Sequence, residues 1–200
     1  MTRLIIYGDF NCPFSALASV RADVLLASGG FEIDWRAVQH DPAIPAAGET
    51  IEGEVAAELA DEVATIVDLS DHDVRLRLVV PPVRSNTAAS CAAFAAAGNV
   101  RDRLRRRLFA AVWAEGSNLG DPAVLDRVGA NGRDAVTSIR WQTQFRALPR
   151  PVTPTLVLPD GYVSRGLGAL ARLAELAERA SFSPTAGTSE RGSPSPALGV

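Results

Sequence analysis

The spacing of apolar residues changes period twice along this chain, and the two changes bound its fold. Residues 3–7, "RLIIY", are a short run of the length and composition of a buried strand. A helix starts at Pro13, where the missing N–H costs nothing, carries Phe14, Leu17, Val20, Val24 and Leu25 near one face, and stops at Gly29-Gly30. Residues 31–38, "FEIDWRAV", then alternate apolar and polar positions as a half-buried strand does. From about Glu49 to Leu148 the period becomes helical, with Ile51, Val55, Leu59, Val63 and Ile66 on one stripe. Within this block "VRLRLVVPPV" reads as an extended connector, and helices are expected over 87–97 behind an Asn86 cap, over 101–115, from Asp121-Pro122, and over about 133–147. After Pro149 and Pro151 period two returns in "TLVLPDGYVS", followed by an amphipathic helix over 167–179. The expectation is an α/β unit built from residues 1–48 and 150–179, with 49–149 as a mainly helical insertion. The Ser-, Pro- and Gly-rich segment 180–200 is expected to be disordered.

Charge and cysteine count narrow the function classes. A net charge of −3 argues against a nucleic-acid partner. No apolar run reaches the roughly 18–20 residues of a membrane span, and the N-terminus turns polar too early for a secretory signal, so a cytoplasmic protein without a membrane partner is expected. Two cysteines far apart do not form a disulfide framework, and each must be read as packing or as chemistry.

Cys12 stands where the first strand gives way to the first helix, in "DFNCPFS". As the N-cap of a helix opening at Pro13, its sulfur is expected to face the free N–H groups of Phe14 and Ser15, which favours a thiolate. Cysteines so placed reach pKa values of about 3.5–7.5 instead of about 8.5. Ser15 lies one turn on and can donate a hydrogen bond to the sulfur. A hydroxyl cannot displace a mixed disulfide, so release needs an external thiol. At the other end of the chain Thr153-Pro154-Thr155 opens a strand, and Pro154 is a candidate cis proline. The backbone of Thr153 would then be free to pair with a substrate lying across Cys12.

With "DFNCPFS", "SNTAAS", "LFAAVWAEGSNLGDPAVL" and "VTPT" in this order, the chain resembles the DsbA-type thioredoxin-like oxidoreductases over about residues 1–179. Its nearest likeness is the cytoplasmic FrnE-like branch, with 2-hydroxychromene-2-carboxylate isomerases and kappa-class glutathione transferases more distant. The resemblance implies a thioredoxin-like fold with a helical insertion, Cys12 as nucleophile beside Ser15, Pro154 as the cis proline, and Pro13, Phe14 and Thr153 at the substrate. It implies a thiol-disulfide oxidoreductase acting on a protein or small-molecule thiol or disulfide. No tightly bound cofactor and no metal are expected, glutathione is the candidate co-substrate, and a homodimer is left open. Two departures matter. Ser15 replaces the second thiol of the family's Cys-x-x-Cys pair, and "YVSRGLGAL" lacks the acidic residue that glutathione-using relatives carry near the closing helix. A monothiol enzyme, a glutathione-dependent transferase or isomerase, and a binding module that keeps the cleft but has lost turnover are therefore all consistent with the sequence.

The remaining candidates have structural readings. Cys91, in the alanine-rich "ASCAAFAAAG", reads as core packing. His40 and His72 lie in loop-like segments without companion metal ligands. In "RDRLRRR", Leu104, Leu108 and Val112 mark the buried stripe, and the arginines are expected on a solvated face. Trp35, Trp113 and Trp141 read as core or cleft walls, with Trp113 and Trp141 expected beside the groove between the two regions.

Overall fold

A computed structural model describes residues 1–182, with side chains through Ala180. The expected first unit forms as strand β1 (Thr2–Gly8), helix α1 (Pro13–Ala27) and strand β2 (Phe31–Ala37). β1 and β2 pair in parallel with Leu4 opposite Ile33 and Ile6 opposite Trp35. There follow β3 (Glu49–Thr50), α2 (Gly53–Ser70), β4 (Val83–Arg84), α3 (Ala88–Ala96), α4 (Arg101–Trp113), α5 (Pro122–Val128) and α6 (Ala135–Arg146). The chain then returns as β5 (Thr155–Val157), β6 (Val163–Arg165) and α7 (Gly166–Phe182). One sheet takes its strands from both sides of the helical block, in the order β2-β1-β5-β6, with β5 antiparallel to β1 and β6 antiparallel to β5. α1 packs on α7, while α3 and α6 pack against β2.

Four details depart from the sequence reading. α1 has no single buried stripe: Ser15, Ala16, Leu17, Ala18, Ser19, Arg21, Ala22 and Leu25 are all buried, and Val24 and Ala27 are left at the surface. The helix touches α2, α4, α7 and β2, so nearly every direction around it is occupied. The connector before α3 is not merely extended, because β4 pairs with β3 in a small second sheet. α3 is capped at Thr87, one residue later than expected, and Asn86 accepts from the Ala88 N–H instead. α7 continues to Phe182, three residues into the segment expected to be disordered; the rest of that expectation lies outside the described residues.

The arginine-rich α4 is only partly a solvated face. Arg105 is fully buried, its guanidinium over the Trp35 ring at 5.1 Å and bonded to Asp23 of α1. Leu104, Leu108 and Val112 are buried as the stripe required. Trp113 is no cleft wall: it is 2% exposed and its indole N–H donates to the Phe10 carbonyl at 2.8 Å. Phe10 in turn meets Phe109 and Phe94 edge-on, at 5.1 and 6.0 Å between ring centres. These contacts anchor the loop that carries Cys12 to the helical block.

Candidate active site

Each residue of "DFN" fixes the loop between β1 and α1. Asp9 is buried, and its carboxylate accepts from the N–H groups of Asn11 at 3.0 Å and His40 at 2.8 Å. Phe10 sits in the aromatic cluster just described. The Asn11 amide donates to the Ser85 carbonyl at 2.7 Å and accepts from the Ser85 N–H at 3.1 Å, a reciprocal pair that ties the loop to the segment before α3. Burial pushes the Asp9 carboxyl above its ordinary value, and its two backbone donors and the nearby His40 and Arg84 oppose the rise. The sequence reading passed over Asp9 and Asn11. The signal that could have found them is their position: two short polar side chains in a turn between buried elements must find backbone partners.

Cys12 is the N-cap of α1, with Pro13 at the first helical position. Its sulfur makes no capping hydrogen bond; the thiol instead donates to the Thr153 carbonyl at 3.5 Å. The Thr153–Pro154 peptide is cis, and residues 141 positions apart thus meet at one point. Ser15 is fully buried behind the cysteine, where its hydroxyl oxygen accepts from the Asp9 N–H at 3.3 Å. Burial pushes the Cys12 thiol above its ordinary value, and the Asp9 charge adds to the rise. Hydrogen bonding from Thr153 and Ser15 pulls the other way without reversing it. The expectation of a depressed Cys12 pKa is thus corrected: burial of the sulfur outweighs what the helix start and its hydrogen-bond partners contribute.

Cys12, Pro13, Phe14, Val152 and Thr153 open onto a cleft of about 400 Å³. Its far wall is the N-terminal half of α2, where Val55 and Leu59 present an apolar face and Glu58 and Glu62 edge it. The apolar stripe read along α2 therefore serves two purposes, since Val63 and Ile66 enter the core while Ile51, Val55 and Leu59 face the cleft. His40 and Arg84 also line it, and Arg84 is held by Asp41 at 3.1 Å and Glu49 at 3.2 Å. Cys91 is 2% exposed, its thiol pushed well up by burial, as expected of a core residue. His72 lies just past α2, and among the described residues no three His, Cys, Asp or Glu side chains gather as a metal cluster.

The DSBA-like thioredoxin domain profile matches residues 3–140 of the chain. The chain belongs to the DsbA-like thioredoxin family. Solved structures agree in fold. A probable DsbA oxidoreductase from Streptomyces coelicolor superposes with a TM-score of 0.72 at 14% identity, covering 92% of each chain. The cytosolic disulfide reductase DsbM from Pseudomonas aeruginosa gives 0.65 at 16% identity, covering 90% of this chain and 97% of that one. A 2-hydroxychromene-2-carboxylate isomerase gives 0.56 at 21% identity, covering 88% and 95%. Among curated proteins no sequence relative matches. The thioredoxin-like α/β fold with helices set between its strands is that of this family.

Proposed function

We propose that this family member is a monothiol thiol-disulfide oxidoreductase. The observation that carries the reading is the meeting of Cys12, at a helix start and the mouth of a cleft, with the Thr153 carbonyl, while a buried Ser15 occupies the position of a second thiol. In the first step the Cys12 thiol gives its proton to solvent and the thiolate attacks one sulfur of a substrate disulfide. A Cys12–substrate disulfide forms, the substrate S–S bond breaks, and the other sulfur leaves as a thiolate that takes up a proton. In the second step an external thiol attacks the mixed disulfide, releasing Cys12 and leaving the substrate disulfide-bonded to the incoming thiol. No net oxidation of the protein occurs. Ser15 cannot perform that second attack, and Cys91 is buried in the core.

Glutathione is the external thiol this reading favours. A reducing cytoplasm supplies it, the cleft has room for a tripeptide-sized ligand, and a structure of the similar DsbM fold is described with glutathione. Thr153 offers its backbone to an extended thiol ligand, and Pro13 and Phe14 flank the sulfur.

The test is the mass of the protein after exposure to glutathione disulfide. The wild-type chain gains one glutathionyl group, mapped to Cys12, and keeps it until a thiol is added. A Ser15→Cys variant loses the adduct by internal attack. A wild-type chain that takes up no adduct at Cys12 would leave a binding module as the better reading. Persistence of the adduct in the variant for as long as in wild type would show that position 15 cannot reach the exchange centre.

A further inference from the structure

A second cavity, about 410 Å³, shares no residue with the Cys12 cleft. It lies where the starts of α4 and α6 meet β1 and β2, and four arginines, Arg3, Arg36, Arg101 and Arg140, line it. The carboxylates facing them are Asp34 and Asp134. Asp34 is already bound by Arg36 at 2.8 Å and Arg3 at 3.1 Å, and Asp134 caps α6, accepting from the Thr137 N–H at 3.0 Å. Arg3 also reaches Glu32 at 3.6 Å, so Arg3 and Arg36 are matched by Asp34 and Glu32, and Arg101 and Arg140 are the two guanidinium groups left without an ion pair.

Neither of these two has an ion-pair partner among the described residues. Arg140 is exposed, and its hydrogen bond is a long one, 3.4 Å to the Thr137 hydroxyl. Arg101 donates from one terminal nitrogen to the Ala95 carbonyl at 3.3 Å, while its Nε is buried without a partner. Its guanidinium lies over the Trp141 ring at 5.3 Å and the Phe94 ring at 5.7 Å. Stacking on two aromatic faces fixes the plane of the fork and leaves its edge for a ligand. A buried donor without a partner is costly, and here it sits beside a polar cavity with room for one. Arg101 is also the first arginine of the run whose fourth-on neighbour, Arg105, is consumed by Asp23 in the core.

We propose that this cavity binds a phosphate group, with Arg101 and Arg140 as its charged partners. A phosphate carries about −1.5 to −2 charge at neutral pH, and its several acceptor oxygens suit two unpaired guanidinium groups arriving from two helices. A single carboxylate offers fewer acceptor oxygens to the same two forks. The site shares no residue with the Cys12 cleft and does not depend on the thiol chemistry proposed above.

Calorimetric titration of the full chain with inorganic phosphate, against chloride at equal ionic strength, tests this. Saturable phosphate binding is expected, weakened roughly tenfold or more in Arg101→Gln and in Arg140→Gln, because each removes one charge-assisted contact. Arg140 is exposed and lightly bonded, so its variant keeps the fold even where Arg101→Gln does not. Cys12→Ser should bind phosphate as wild type does, which separates this site from the thiol reading. Phosphate heats no different from chloride, or an Arg140→Gln variant that binds as tightly as wild type, would overturn the proposal.

Discussion

Replacing Arg21 with methionine tests whether a single buried cation holds the helix that carries Cys12. Arg21 of α1 is 5% exposed and reaches three places at once. Its Nε and Nη2 meet the two oxygens of Asp73 at 2.6 and 2.8 Å, Nη2 also donates to the Leu69 carbonyl at 3.0 Å, and Nη1 donates to the Leu170 carbonyl at 3.1 Å. It therefore binds α1 to the end of α2 and to α7. Methionine keeps much of the stem's packing but leaves two carbonyls and a carboxylate without donors. Breaking a buried pair by removing one partner costs about 3–5 kcal/mol. The Asp73 side chain is 19% exposed, so water recovers part of its solvation and the lower end applies, about 3 kcal/mol.

For a chain of this size each kcal/mol shifts the melting temperature by about 2–4 °C, which sets the expected fall at about 6–12 °C. Urea unfolding should show the lower midpoint with an unchanged slope. In a double-mutant cycle, Asp73→Asn should cost much less in the Arg21→Met background than in wild type, with a coupling of about 1–3 kcal/mol. A loss below about 1 kcal/mol for Arg21→Met, or additive effects in the cycle, would refute the account of Arg21 as the tie between these helices.

Two further outcomes follow from the site and the sheet. The alkylation rate of Cys12 should rise with pH to a midpoint above the ordinary thiol value of about 8.5, because burial favours the protonated thiol and only the thiolate reacts; a midpoint below about 7.5 would restore the expectation of a helix-stabilised thiolate. Gly8→Ala should destabilise the fold by about 1–3 kcal/mol in the same urea assay, since a methyl there collides with the indole of Trp35, itself 1% exposed, and a neutral result would mean that indole can move aside.

The frame of the fold was legible because its signals are local. Period two in "FEIDWRAV", the proline after Cys12, and Asp121-Pro122, where the aspartate accepts from the Ala123 N–H at 2.8 Å, each report on a few neighbouring residues. The strand-opening proline marks Pro154 as a candidate cis proline beside a thiol site, and the family likeness supports its place opposite Cys12, although no local pattern says that residues so far apart should touch. What stayed hidden depends on tertiary surroundings. A helix packed on nearly every side, such as α1, misleads a stripe drawn along it: Val24 on that stripe is exposed, while Ser15, Ser19 and Arg21 off it are buried. Arg21 and Arg105 look like surface residues until the fold places Asp73 and Asp23 opposite them. The division of the α2 stripe between core and cleft has no sequence mark either, because Val55 and Val63 differ only in what lies across from them.

The Cys12 thiol shows how a correct local inference can yield to a larger tertiary effect. A helix N-terminus favours an adjacent anion by about 0.3–1 kcal/mol, up to about 2 in partly buried geometry. At 1.36 kcal/mol per pKa unit that is at most about one and a half units of depression. Burial in apolar surroundings can raise a thiol by about 3–5 units when complete. The outcome therefore turns on how far the sulfur is withdrawn from water. Here burial outweighs the hydrogen bonding that Thr153 and Ser15 offer the sulfur, and the nearby Asp9 charge adds to the rise. The burial that comes with closing the two halves of the site around Cys12 thus favours the protonated form of the nucleophile. The Thr153 carbonyl is the acceptor of the thiol, so an extended ligand that takes this carbonyl with its own N–H competes with the thiol for one atom.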